Sequence, residues 1–378
     1  IGDSIVAIPE RVRKLTGRIK ARVGLRKKPV KDRSVAVITY GFPPNVGAVG
    51  TAALLNVEKS LENFLLGLHD EGYDVGPIAP RTHDARLCGG RVDGKAIVKA
   101  LKILSRENVY ALGAEGAQRV IEQQGISGIT VTGPQFATYS SRSPSAVYDT
   151  DTDTDTDTET DASTGKGSST RSSSERSNSN IGFVSPSQLR QWLGKLQTAK
   201  MESQWGELGG SSSKAKGDPG PGQIGSGSGT KYSVLGLQIG KVWVAVQPLL
   251  GLEGDPMRLL FERDLTPHPQ YAAFYAYLNN VHKPDSVVHF GMHGTVEWLP
   301  GSPLGNTAQS WSDVLTPQAP NSYVYACNNP SESLLAKRRG YATIVSHNVP
   351  PYARAGLYKD LASLKELLVA FRDDKTTE

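Results

Sequence analysis

Cysteine is nearly absent: Cys88 and Cys327 are the only two in 378 residues, they lie far apart, and no CxxC pair exists. Neither a zinc knuckle nor a disulfide framework is indicated, and a reducing compartment is expected. No apolar run approaches the roughly 18 residues a membrane span needs, and no secretory h-region is present, so a soluble chain is expected. A complete phosphate loop is missing too. Gly89–Ala96 nearly matches G-x-x-x-x-G-K-[ST], but Ala96 stands where a hydroxyl should hold Mg²⁺, and no strand pattern precedes it. No other stretch qualifies, so no ATPase site is expected in this chain. An initiator Met is lacking as well: the sequence runs from Ile1 to Asp-Asp-Lys-Thr-Thr-Glu, as expected of a piece of a longer polypeptide.

What is present begins with charge. The formal net charge is +5, but residues 1–33 carry eleven Lys/Arg against Asp3, Glu10 and Asp32, a local +8 that leaves −3 for the rest. The excess is therefore confined to one segment and does not mark a nucleic-acid-binding protein. It reads as a solvated connecting helix and linker, or as an arm that binds phosphate or steers an acidic partner.

Ser34–Tyr40 is a β-branched apolar run of the buried-strand type. The breaker-rich Gly41–Gly50 follows, then a helix pattern from Thr51 to about Glu71 with Leu54, Val57, Leu61, Phe64, Leu65 and Leu68 on one stripe. Gly72 is its stop, and Tyr73–Val75 reads as the start of a strand. Residues 95–105, 114–123 and 186–208 are predicted helical. Between the last two, Asp149–Asp161 is an Asp-Thr repeat and Ala162–Asn180 is mostly Ser. Such composition cannot offset chain entropy, so 141–185 is expected to be a disordered insert, and 209–230 a flexible Gly/Ser linker. In the second half Lys241–Val246, Ser286–Phe290, Tyr323–Cys327 and Thr343–Val345 read as strands. Tyr271–His282, Ser331–Arg339 and Leu357–Arg372 read as helices. The expected organisation is a basic helix and linker (1–33), the first part of an α/β domain (34–140), the insert, a helix (186–208), the linker, and an α/β domain carrying the motifs (231–378). The fold class is α/β: mostly parallel sheets with flanking helices, interrupted by disordered low-complexity insertions, with ligand sites at the carboxyl ends of the strands.

Polar loops follow the strands. Phe42–Thr51 suits an anion at a helix N-terminus, or is a plain turn capped by Thr51. In Leu249–Arg258, Glu253 and Asp255 flank Gly254, and Pro256 suits a first helical position. Asp255 reads as a cap with Arg258 as a carboxylate partner, or the two acids read as hard oxygen donors for Mg²⁺. The densest signal is His289-Phe-Gly-Met-His293-Gly-Thr-Val-Glu297. Its i, i+4, i+8 spacing would line one helix face as in a zinc site. Gly291 and Gly294 straddle His293 after a β-branched strand, however, and favour a strand-to-loop turn that aims imidazoles and a carboxylate into a cleft. Asn328-Asn329-Pro-Ser-Glu332 reads as a helix cap with Glu332 at the positive end of the dipole. Lys337-Arg338-Arg339 reads as a solvated face, and Ser346-His347-Asn as one more polar loop. Such loops at successive strand ends point to one shared cleft.

Several long stretches then resemble one family. FPPNVGAVGTAALLNVEKSL, VAVQPLLGLEGDPMRLLF, HFGMHGTVEWLPGSPLGN, YACNNPSESLLAKRRGYATIVSHNVPP and RAGLYKDLASLKELL are similar, in that order, to the large porphyrin-binding, H-type subunit of the magnesium chelatases. The large cobaltochelatase subunit of cobalamin synthesis shares the pattern more loosely. The resemblance covers about residues 33–76 and 235–372, is weak over 77–208, and looks closest to a central fragment of the bacteriochlorophyll-type and algal branch.

The resemblance implies ATP-driven insertion of Mg²⁺ into protoporphyrin IX on the way to chlorophyll. ATP is bound not here but by a separate AAA+ ATPase subunit, working with a third, D-type subunit. Chloroplast stroma is implied for an algal source and cytoplasm for a bacterial one. Metalation removes two pyrrole protons and strips water from Mg²⁺. On that chemistry Glu297 is the leading metal-delivery or base residue, and His289 and His293 are proton acceptors or orienters. Glu253 and Asp255 are the other metal candidates. Arg258 is a partner for a porphyrin propionate, with Asn328, Asn329, Glu332 and His347 as further porphyrin contacts. The rivals are a cobaltochelatase large subunit, a non-catalytic porphyrin-binding or signalling paralogue, and a zinc hydrolase built on His289, His293 and Glu297.

Overall fold

The computed structural model describes residues 7–40, 55–76, 93–105, 112–126, 129–132, 182–209, 223–224, 231–248, 264–290, 296–302, 305–325, 330–346 and 360–375. In chain order the elements are α1 (Pro9–Lys27), β1 (Val35–Thr39), α2 (Val57–Asp70), α3 (Gly94–Leu104), α4 (Gly113–Gln123), β2 (Thr130–Thr132), β3 (Phe183–Val184), α5 (Pro186–Trp205), β4 (Gln223–Ile224), β5 (Lys231–Ser233), β6 (Gly236–Ile239), β7 (Val242–Val246), α6 (Pro269–Tyr277), β8 (Ser286–Phe290), α7 (Trp311–Leu315), β9 (Asn321–Tyr325), α8 (Pro330–Arg339), β10 (Ala342–Ser346) and α9 (Asp360–Lys375).

Seven strands form one sheet in the order β10-β9-β8-β1-β7-β6-β2. β7, β1, β8, β9 and β10 run parallel, while β6 and β2 extend one edge antiparallel. The fold is thus α/β, with a mostly parallel sheet and flanking helices. β1, from the first half of the chain, lies between β7 and β8 from the second, so 34–140 and 231–378 share a sheet. The chain fills the place beside β1 on one side with β7, then crosses to build β8, β9 and β10 outward on the other. The order therefore reverses between β1 and β8. A crevice outside the carboxyl ends of two such strands is where open α/β sheets bind ligands.

Alternation along β1 divides the core. Val35 and Val37 join Leu61, Leu65, Ile97 and Leu101 of α2 and α3 on one face. Ala36 and Ile38 join Trp243, Tyr271, Phe274 and Tyr275 on the other, under α5, α6 and α7. α5 is started by a Ser185–Gln188 capping box with Pro186 at its first position, and bends at Gly194 (φ 77°). α6 ends in a π-helical turn, Leu278–His282, stopped by Lys283 at φ 47°.

Several expectations are corrected. Tyr73–Val75 is not a strand, and the edge of β7 away from β1 is taken by β6. The segment instead crosses the β6–β7 hairpin, where the Lys241 amide donates to the Asp74 carbonyl at 2.7 Å. Gly240 makes that crossing feasible: φ is +57°, and a Cβ there would lie 2.3 Å from the Gly76 nitrogen. α2 begins at Val57 rather than Thr51, capped by Asn56, whose side chain accepts from the Lys59 amide at 3.0 Å. Phe183–Val184 and Gln223–Ile224, expected inside the insert and the linker, belong to a small sheet in which β5 is flanked by β3 and β4; Val184 is fully buried there. The Asp-Thr and Ser-rich repeats and the Phe42–Thr51 loop lie outside the described residues. Asp93, within the phosphate-loop near-match, caps α3 by accepting from the Lys95 amide. Finally, α1 is not a free solvated helix. Arg11 reaches both carboxylate oxygens of Asp313 at 2.9 and 2.8 Å.

Candidate functional site

His289 sits near the carboxyl end of β8, in register with Ile38 of β1 and Tyr323 of β9. Strand alternation turns it to the aromatic face, where it is 3% exposed. Its ring stacks on that of Tyr323, with centroids 4.4 Å apart and planes at 15°. Asn321, two residues earlier in β9, sets the tautomer. Its Nδ2 donates to the Gly340 carbonyl at 2.9 Å, which leaves Oδ1 to accept from His289 Nδ1–H at 2.8 Å. Nε2 is then an acceptor 3.0 Å from the Tyr275 hydroxyl, whose single proton is divided between it and Gln247 Oε1 at 2.8 Å. Burial holds the imidazole pKa down to about 4, partly offset by Asn321. At neutral pH this histidine is uncharged, donates from Nδ1 to Asn321, and packs its ring on that of Tyr323.

Glu297 lies eight residues on, in a single 3-10 turn, Val296–Trp298. His289 therefore ends a strand while Glu297 occupies a turn, and the two do not share a helix face as a zinc helix would require. Glu297 is 0% exposed. The Tyr323 hydroxyl donates to its Oε2 at 2.8 Å, and Oε1 has no hydrogen-bond partner among the described residues. Desolvation raises the carboxyl pKa to about 7. Its own backbone amide, the Tyr323 hydroxyl and the Arg339 charge pull it down, whereas Glu332 pushes it up. Burial, reinforced by Glu297 and Glu332, likewise raises Tyr40 at the end of β1.

Arg339 corrects the solvated reading of Lys337–Arg339. Lys337 and Arg338 are exposed, but Arg339 is 5% exposed. Its guanidinium donates to the Leu299 carbonyl at 2.6 Å and to the Ser312 hydroxyl at 3.2 Å. A buried cation thus anchors the far side of the turn that carries Glu297.

Of the residues singled out in the sequence, His289 and Glu297 are brought together through Tyr323. Glu332, half-buried in the first turn of α8, is near enough to act on Glu297 electrostatically. His293, Glu253, Asp255, Arg258, Asn328, Asn329 and His347 lie outside the described residues. Sequence reasoning missed Tyr323, Tyr275, Asn321, Gln247 and Arg339. For Tyr323 a signal existed, since a hydroxyl on a buried strand implies a partner; Asn321 lay outside the strand read at Tyr323–Cys327, which the structure places at Asn321–Tyr325. For Arg339 none did.

Among the described residues no cluster of three or more His, Cys, Asp or Glu side chains stands ready for a metal ion. The arrangement offers instead a buried carboxyl that exchanges a proton near neutrality, orientated by a tyrosine, close to the crevice between β1 and β8.

A family model described as CobN/Magnesium Chelatase matches residues 2–378. The chain belongs to this family. Over 367 residues it is 34% identical to the H-type subunit of magnesium chelatase from Rhodobacter capsulatus, a match covering 96% of this chain and 23% of that one. It is 40% identical over 143 residues to the aerobic cobaltochelatase subunit CobN of Pseudomonas aeruginosa, covering 38% and 12%. Its fold is similar to that of the catalytic subunit of cobaltochelatase from Mycobacterium tuberculosis, with a TM-score of 0.58 at 23% identity over 98% of this chain and 24% of that one. The chain thus spans about a quarter of the length of the Rhodobacter chelatase subunit it matches. The match takes in His289, Tyr323 and Glu297 as it does nearly every residue of the chain.

Proposed function

We propose that this chain supplies the metal-inserting wall of the porphyrin-binding subunit of a magnesium chelatase, which places Mg²⁺ in protoporphyrin IX. The observation that carries the reading is the buried Glu297 carboxyl, held by Tyr323 and titrating near neutrality. Mg²⁺ enters the macrocycle as two pyrrole N–H protons leave. A general base works best when its pKa lies near the operating pH, so Glu297 takes a pyrrole proton at Oε1, and Tyr323 holds Oε2. Glu253 and Asp255 provide hard oxygen donors that compensate Mg²⁺ as it sheds water. Arg258 pairs with a propionate, His293 takes or relays the second proton, and Asn328, Asn329, Glu332 and His347 border the macrocycle.

The driving energy comes from ATP hydrolysed on an AAA+ subunit acting with a D-type subunit, so this stretch alone is inactive. The protein works in the chloroplast stroma, or in the cytoplasm of a bacterial source; no helix among the described residues is long and apolar enough to cross a membrane. A second reading, cobalt insertion, is favoured by the 40% identity to a CobN subunit. It is set behind the first because the magnesium-chelatase relative aligns over 96% of the chain.

The test is Glu297→Gln in the full-length protein with its ATPase partners. Mg²⁺ insertion should fall by about 10²–10⁴-fold, while porphyrin still quenches tryptophan fluorescence. A parental rate overturns the assignment, and faster Co²⁺ than Mg²⁺ insertion by the parent selects the second reading.

A further inference from the structure

α1 lies on the body of the protein by its charged side. Besides the Arg11–Asp313 pair, Lys14 donates to the Asp313 carbonyl at 2.7 Å. The Arg18 guanidinium stacks 3.7 Å over the Tyr341 ring. Just past the helix, Lys28 donates to Asp285 at 2.6 Å. The aliphatic residues point the other way: Ile8, Val12, Leu15, Ile19 and Val23 are 42–60% exposed. At about 100° per residue they fall in one stripe roughly 80° wide. An amphipathic surface helix normally buries its apolar stripe against the core; this one docks through ion pairs and leaves the stripe outward.

The rim of the stripe is cationic. Arg13, Lys20 and Lys27 recur every seven residues along one flank, and Arg26 closes the far end. All four are exposed and have no ion-pair partner among the described residues. The single acidic residue of α1, Glu10, is already turned to Arg11.

We infer that this stripe is the docking face for an amphipathic helix of a partner protein, one whose apolar seam is bordered by Asp and Glu. Aliphatic residues spaced four, three, four and four apart match the seam of a paired helix. The unpaired row beside them calls for carboxylates, which would fix register and partner choice. A second copy of α1 would set like charges together. α9 also exposes Leu361, Leu364, Leu368 and Phe371, but its four acidic and three basic residues nearly cancel and offer the row no complement. The docking face does not depend on the chelatase reading.

The experiment titrates the full-length protein with a labelled synthetic helix carrying Leu along its seam and Glu on both flanks, read by fluorescence anisotropy. The peptide should bind, and at least about tenfold more weakly in high salt, as screening of exposed charges requires. Leu15→Asp with Ile19→Asp should abolish binding. Arg13→Glu with Lys20→Glu and Lys27→Glu should weaken it at least tenfold and admit a Lys-flanked peptide instead. The charge-reversal variant alters only exposed side chains, so it remains decisive if the aspartates unwind the helix. Equal binding of Glu- and Lys-flanked peptides by the parent overturns the proposal. So does a full-length protein that ignores both peptides, whether the rest of its own polypeptide covers the stripe or phosphatidylglycerol vesicles bind it, or one whose sedimentation shows a dimer that Leu15→Asp dissolves.

Discussion

On the side covered by α2, α3 and α4 the sheet buries Val, Leu, Ile and Ala, with Phe290 the one fully buried ring among the described residues. On the side covered by α5, α6 and α7 it buries Tyr232, Trp243, Tyr271, Phe274, Tyr275 and Trp311. His289, Gln247, Asn321 and Glu297 lie on the same side. Both sides exclude water equally well, so burial does not distinguish them. The first needs only shape and volume. The second carries hydroxyls, amides, an imidazole and a carboxyl, each of which would cost free energy unless partnered, and partners most of them with one another. A fold does not need such a network to close its core, and this one lies at the strand-order reversal, where open α/β sheets bind ligands.

That contrast can be pressed experimentally. Leu101→Ala, in the aliphatic face, should lower unfolding free energy by about 2–5 kcal/mol through cavity formation. Porphyrin titration and the Glu297 pKa should be unmoved; a shifted pKa would mean that the two faces are coupled through the sheet. Glu297→Gln should act oppositely, with a sign set by pH. The folded-state pKa is about 7, above the ordinary 4.5 of a glutamate. The native state therefore binds more protons than the unfolded state between those values, and the stability contributed by the protonated carboxyl is lost as pH rises through that window. The stability of Glu297→Gln relative to the parent should grow from pH ~4.5 to ~7 by on the order of 3 kcal/mol, then level off. Urea melts across that range check it, and a flat difference would show that Glu297 titrates normally. Asn321→Ala leaves the His289 Nδ1–H and the Gly340 carbonyl without partners, at a cost of about 1–3 kcal/mol. It should also lower metal insertion in the full-length protein by loosening Tyr323. A loss of stability at an unchanged insertion rate would confine Asn321 to a structural role.

Much of this was legible in the residues. β8 was read at its observed bounds, and β1, β7 and β10 within a residue or two, because short β-branched runs between breakers have few other uses. The Gly-straddled His and Glu motif pointed to a turn rather than a helix, and a turn is where Glu297 lies. Less legible was everything that depends on who arrives beside whom. Tyr73–Val75 has the composition of a strand, yet its backbone bonds to the turn between β6 and β7 rather than along a strand edge. The run Lys337–Arg339 looks uniformly solvated, yet a helix turn carries Arg339 inward while its two neighbours stay in water.

Local sequence thus determined the class of the fold, the order of its elements and the motif around which the site forms, because dihedral preference and hydrophobic period act over a few residues. Tertiary structure decided that His289 is a neutral, buried ring stacked on Tyr323, that Tyr323 and Arg339 are the neighbours of Glu297, and that α1 turns its charges inward and its aliphatic stripe out. Those facts rest on strand pairing and desolvation between segments tens to hundreds of residues apart, and no pattern within a single segment carries that information.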